Sequence, residues 1–70
     1  MNDLCRYHVH IVGPVDEHEV NGTSPLEMQV ERAEADSTWL SVNTDQSGLI
    51  GLMRHLHGLG YELLNINREG

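Results

Sequence analysis

One stretch of this chain carries its apolar residues at helical spacing, and elsewhere they alternate with polar ones. Within residues 46–59, Leu49, Leu52, Met53 and Leu56 recur three and four apart, with Ile50 widening the stripe. That is the pattern of one amphipathic helix. In RYHVHIV, Tyr7, Val9 and Ile11 alternate with His8 and His10. Leu26, Met28 and Val30 alternate with Glu27, Gln29 and Glu31, and Leu40 and Val42 sit at the same spacing. In YELLNIN, Leu64 and Ile66 point in while Leu63, Asn65 and Asn67 point out. A period of two in segments rich in β-formers marks half-buried strands. The expectation is a single α+β domain over residues 1–70 in the order β-β-β-α-β, with strands over 6–12, 26–32, 38–43 and 61–67 and a helix over 46–59.

Breakers and caps divide these elements. Gly13-Pro14 ends the first strand. Residues 16–25, DEHEVNGTSP, hold one strong apolar residue, Val20, the turn dipeptide Asn21-Gly22 and the breaker Pro25. They read as a loop with at most a frayed helical turn. The second and third strands form a hairpin across the polar segment 33–37. Asp45 is placed to cap the helix and Gly60 to end it in a left-handed conformation. Gly48, Gly51 and Gly58 weaken the helix by up to about 1 kcal/mol each, but would let it lie close on a sheet. The polar tail Arg68-Glu69-Gly70 is expected to fray. A strand–helix–strand unit favours a right-handed parallel crossover. The economical arrangement is ferredoxin-like but lacks the first helix: one helix packs on one sheet face, the loop 13–25 stands where a first helix would be, and strand 1 lies between strands 3 and 4. A three-strand meander is the rival.

Size limits what holds such a domain together. A chain of 70 residues buries only roughly 60 % of its unfolded surface. With no Phe, one Trp and two Tyr, the core is aliphatic and supplies only about 3–5 kcal/mol. The single cysteine, Cys5, excludes an internal disulfide. A metal, an oligomer or a well-packed sheet and helix remains.

Charge narrows the partners. The net charge is −7, all four basic residues are arginine, and no basic patch forms for nucleic acid or an anionic membrane. This composition suits a salt-loving cytoplasm as well as an arginine-rich, high-GC genome. No run approaches the roughly 18 apolar residues of a membrane span. Met1-Asn2-Asp3 lacks the features of a signal peptide. With one unpaired cysteine, the expected location is the cytoplasm.

One helix leaves the other sheet face open. By parity that face carries His8, His10, Gln29, Glu31, Ser41, Asn43, Asn65 and Asn67, with Trp39 and Leu63. Such a face is either solvated or a contact surface, where an aromatic among polar groups is at home. The contact reading rests on Trp39, His8, His10 and Asn65, with a second copy or another protein as partner through this face or an exposed strand edge.

Sites for chemistry are sparse. His8-x-His10 sets two imidazoles on one strand face at a spacing that suits Zn²⁺ or Cu²⁺. Cys5, Glu31 and His18 are conceivable further ligands, but two surface histidines explain the same pattern. His55 and His57 project on different sides of the helix end and read as surface residues. Cys5 near the N-terminus lacks an oriented base, and Asp16-Glu17 reads as solubilising charge. Asp45, Gln46, Ser47 and Gly48 precede a helix N-terminus that can hold a carboxylate, although Asp45 as the cap accounts for them. No acid, base or nucleophile set emerges. The expectation is no catalysis and no cofactor.

The C-terminal half carries two resemblances. WLSVNTDQSGLIGLMRHLHGLGYELLNINR resembles a group of short, uncharacterised prokaryotic proteins with an extended strand, D-Q-small-small-L-x-G-L-L, a helix, L-G-L-x-L-L and a closing strand. Asp45, Gln46, Leu49, Gly51, Leu52, Leu59, Gly60, Leu63 and Leu64 carry the pattern, and YHVHIVG is similar to the group's first strand. The resemblance covers most of the chain except residues 14–37 and implies the fold without an activity. Asp45, Gly48 and Gly60 also resemble the first strand–helix–strand of an ACT regulatory domain. That implies amino-acid binding beside the Asp45 loop, but the chain lacks the second helix and its halves come in the other order.

Overall fold

The computed structural model describes residues 4–22 and 26–69. The expectations that rest on Met1-Asn2-Asp3, Pro25 and Gly70 lie outside the described residues. The elements run β1 (Cys5–Val12), α1 (Glu17–Gly22), β2 (Gln29–Ala33), β3 (Ser37–Thr44), α2 (Gln46–Gly58) and β4 (Leu63–Arg68). The sheet order is β2-β3-β1-β4 and each neighbouring pair is antiparallel. β3 and β4 both run against β1, so they are parallel to each other and α2 is the crossover between them. The central place of β1 excludes the meander.

The alternating residues build the core as their period requires. Tyr7, Val9 and Ile11 of β1 and Leu40 and Val42 of β3 are buried beneath Leu49, Leu52 and Leu56 of α2. Met28 and Val20 close the end of this cluster. Asp45 caps α2, its Oδ1 accepting from the Gly48 N–H at 2.7 Å. Gly60 follows with φ +93°, a left-handed angle that glycine adopts without steric cost.

Several expectations are corrected. The segment before β2 is more than a loop with one frayed helical turn, because α1 occupies residues 17–22. Local propensity misses this helix because tertiary contacts hold it. Val20 is fully buried, and Asp16 Oδ1 accepts from the N–H groups of His18 and Glu19 at 2.9 and 3.4 Å. Asn21-Gly22 is accordingly the end of a helix rather than a turn. Asn21 binds the backbone of Met28 twice, accepting its N–H at 2.8 Å and donating to its carbonyl at 3.0 Å.

The tail does not fray through Glu69, whose N–H donates to the Arg6 carbonyl at 2.8 Å. A Cβ on Gly51 or Gly58 would meet nothing within 4 Å, so neither brings the helix close to the sheet. Gly48 does have that role, since a Cβ there would run into Thr44 Oγ1.

The largest correction concerns β4. Its register against β1 shifts between His10 and Ile11, with Asn65 opposite His10 but Leu63 opposite Ile11. Leu64 is the extra residue of a bulge, and the bulge carries Leu63 from the open face to the helix side. Ile50, Met53, Leu63 and Leu64 remain 49, 37, 39 and 51 % exposed. Two members of the apolar stripe of α2 and both leucines of β4, of which Leu64 was expected to face in, are thus partly in solvent.

Candidate interaction face

The face away from the helices is organised by β1. Register sets Arg6 opposite Asn43, His8 opposite Ser41 and His10 opposite Trp39 on one side, and His8 opposite Asn67 and His10 opposite Asn65 on the other. The expected residues Trp39, His8, His10 and Asn65 thus share one surface. Asn65 is exposed, and the other three are half-buried.

Trp39 and His10 form a stacked pair with ring centroids 4.2 Å apart and planes 6° from parallel. His10 Nε2 lies 2.8 Å from Ser37 Oγ, and the Ser37 hydroxyl donates to Glu34 Oε1 at 3.3 Å. Because that proton goes to Glu34, the imidazole Nε2–H is the donor to Ser37. A serine nucleophile needs the opposite direction, with its hydroxyl donating to the imidazole. The arrangement fixes the ring rather than activating the serine.

His8 lies between two carboxylates. Nδ1 is 2.8 Å from Glu31 Oε2 and Nε2 is 2.9 Å from Glu69 Oε1. A neutral imidazole has one N–H, so both bonds are made only by the imidazolium. The hydrogen bond from Glu31 and then that from Glu69 raise the His8 pKa above its usual 6.5. In that state the ring has no free lone pair for a metal. Among the described residues, no group of three or more His, Cys, Asp or Glu side chains is placed to hold a metal ion.

Glu31 stands on the face its parity gave it, at a second irregularity. Val30 pairs with Leu40 and Arg32 with Trp39, leaving Glu31 as the extra residue. Ser41, expected on the open face, is buried and accepts from Arg6 at 3.1 Å. Sequence reading missed Ser37, Glu34 and Glu69. Ser37 has the parity of Trp39, and extending the third strand by one residue would have found it. Glu69 lay in the tail expected to fray.

The remaining candidates fall elsewhere. Cys5 is free and half-buried. It lies with Tyr7, Asp45, Gln46, Ser47 and Arg68 around an open cleft of about 920 Å³ at the start of α2. His57 is exposed, as expected. His55 is not a free surface residue, because its Nε2 donates to the Val20 carbonyl at 3.0 Å and ties α2 to α1. Tyr61 similarly donates to Glu19 at 2.9 Å. Its pKa is raised by burial first and then by that bond. Among the described residues, no helix is long and apolar enough to cross a membrane.

No family model, curated protein or solved structure matches the chain.

Proposed function

We propose that this chain is a non-catalytic protein-interaction module that self-associates through the open sheet face and the adjoining β4 edge. The observation that carries this reading is where aromatic and apolar surface stays uncovered. The Trp39–His10 stack stands on the open face, and Leu63 and Leu64 lie at the edge. Asn65 joins the two regions. Aromatic groups at the centre of polar surroundings are typical of contact surfaces, and a small aliphatic core gains most from a second copy. His8 and His10 serve this face as rigid polar groups. The partner is another copy of the chain, in the cytoplasm, without nucleic acid, membrane or cofactor.

The test is the native mass of the purified protein at micromolar concentration. A dimer mass supports the reading and a monomer overturns it. Trp39→Glu then locates the contact. Loss of the dimer assigns it to the open face, and retention assigns it to the edge.

A second reading has its own observation. The cleft at the start of α2 combines the Arg68 side chain with polar groups of the Asp45–Ser47 turn, a setting that suits a small carboxylate such as an amino acid. Asp45 already occupies the Gly48 N–H, which ranks this reading second. Amino acids that raise the melting temperature would favour it, and a flat screen would count against it.

A further inference from the structure

Buried tyrosines ordinarily give their hydroxyl a hydrogen-bond partner, and Tyr7 does not. The residue is only 8 % exposed, yet its hydroxyl bonds to nothing among the described residues. No buried polar side-chain atom there is without a partner, so this hydroxyl reaches the surface. It does so in the cleft at the start of α2, which Tyr7 borders. A phenylalanine would fill the same part of the core, so packing does not account for the hydroxyl.

Other unused polar groups converge on this cleft. Arg68 stands directly across from Tyr7 in the β1–β4 ladder, so both lie on the helix side, and both border the cleft. The Arg68 guanidinium makes no ion pair among the described residues, whereas Arg6 is held by Ser41 and Arg32 lies near Glu34. The ladder of α2 opens with the Leu49 N–H on the Asp45 carbonyl, which leaves the Gln46 and Ser47 N–H groups without a partner inside the helix. The Asp45 carboxylate gives Oδ1 to the Gly48 N–H, and its Oδ2 accepts no bond from the described residues.

These groups define a ligand by its chemistry. A guanidinium beside the free N–H groups of a helix N-terminus calls for a carboxylate. Asp45 Oδ2 calls for a hydrogen-bond donor close to that carboxylate, and its charge opposes a second anionic group. The Tyr7 hydroxyl both donates and accepts, so it serves either part. We infer that the cleft binds a small monocarboxylate carrying a donor on the adjacent carbon, an α-hydroxy or α-amino acid. Its carboxylate lies on Arg68 and the first N–H groups of α2, and its donor on Asp45. The inference rests on the ligand-binding reading given second above, and it adds the donor that the ligand must carry and the residue that selects it.

The test is an amide NMR titration of the full chain with four compounds on one skeleton: L-lactate, L-alanine, propionate and L-alaninamide. Lactate or alanine is expected to move the Gln46 and Ser47 amide signals and to bind at least about tenfold more tightly than propionate, the worth of one charge-assisted hydrogen bond. Preference between the two tells whether a hydroxyl or an ammonium meets Asp45, and either supports the inference. Alaninamide, which has no carboxylate, is expected not to bind. Tyr7→Phe and Arg68→Gln, with folding checked by circular dichroism, are each expected to weaken binding about tenfold or more. Asp45→Asn keeps an N-cap and is expected to bring lactate, alanine and propionate to similar affinity. If none of the carboxylates binds, the inference and the ligand-binding reading fall together. Propionate binding as tightly as lactate and alanine leaves that reading standing and overturns the inference. Affinity unchanged in both Tyr7→Phe and Arg68→Gln puts the carboxylate elsewhere and also overturns it.

Discussion

The imidazole of His10 lies flat on the indole of Trp39, with centroids 4.2 Å apart and planes 6° from parallel. The contact joins two adjacent strands on the face the helices leave open, and Ser37 fixes the imidazole's edge. Removing the imidazole with His10→Ala is expected to cost about 1 kcal/mol, the range of stacked aromatic pairs. Trp39 is the only tryptophan, so its emission reports the site directly. A red shift and stronger iodide quenching are expected in the variant, and unchanged emission would show that the stack does not order the indole.

His8 makes stability depend on pH. Its pKa is raised in the folded protein by the carboxylates of Glu31 and Glu69. A raised folded-state pKa means that the contribution is complete below the unfolded value near 6.5 and is lost as pH rises through the folded value above it. The melting temperature should therefore exceed that of His8→Gln at about pH 5.5–6.5, with the gap closing on the alkaline side. A gap that stays constant with pH would mean that His8 contributes only as a neutral ring.

Gly48 tests the join between β3 and α2. Alanine normally favours a helix over glycine by up to about 1 kcal/mol, but here its Cβ would strike Thr44 Oγ1. Overpacking of that kind costs about 1–3 kcal/mol, so Gly48→Ala is expected to lower stability in urea unfolding. In a Thr44→Ala background the same change should cost less or become stabilising, since the obstructing hydroxyl is gone. Equal costs in the two backgrounds would separate Gly48 from Thr44.

Much of the fold is legible in short stretches. The period of two in RYHVHIV determines that Tyr7, Val9 and Ile11 share one face and His8 and His10 the other. The same parity places Trp39 and Asn65 beside the histidines. Asp45 and Gly60 mark the ends of α2 because capping is a local backbone matter. The strand–helix–strand pattern also points to β1 as the central strand.

What parity cannot supply is register. Two bulges, at Glu31 and Leu64, each break the period once. One sets Arg32 rather than Glu31 opposite Trp39, and the other moves Leu63 to the helix side. Their positions depend on the partner strand, which is distant in sequence. The helix α1 is equally non-local, since Val20 in the core, His55 from α2 and the Met28 backbone hold six residues too few to be helical alone.

By itself, then, the sequence determined which residues alternate, where the helix begins and ends, and which face each strand residue takes while the ladder is regular. Those properties follow from backbone geometry over a few residues. Only the tertiary structure decided that His8 lies between Glu31 and Glu69, that α1 bonds the backbone of Met28 and Val30 at one edge of the sheet, and that β4 stands at the other edge beside β1. Those depend on contacts between segments far apart in the chain, whose register is set by the packing of the whole sheet.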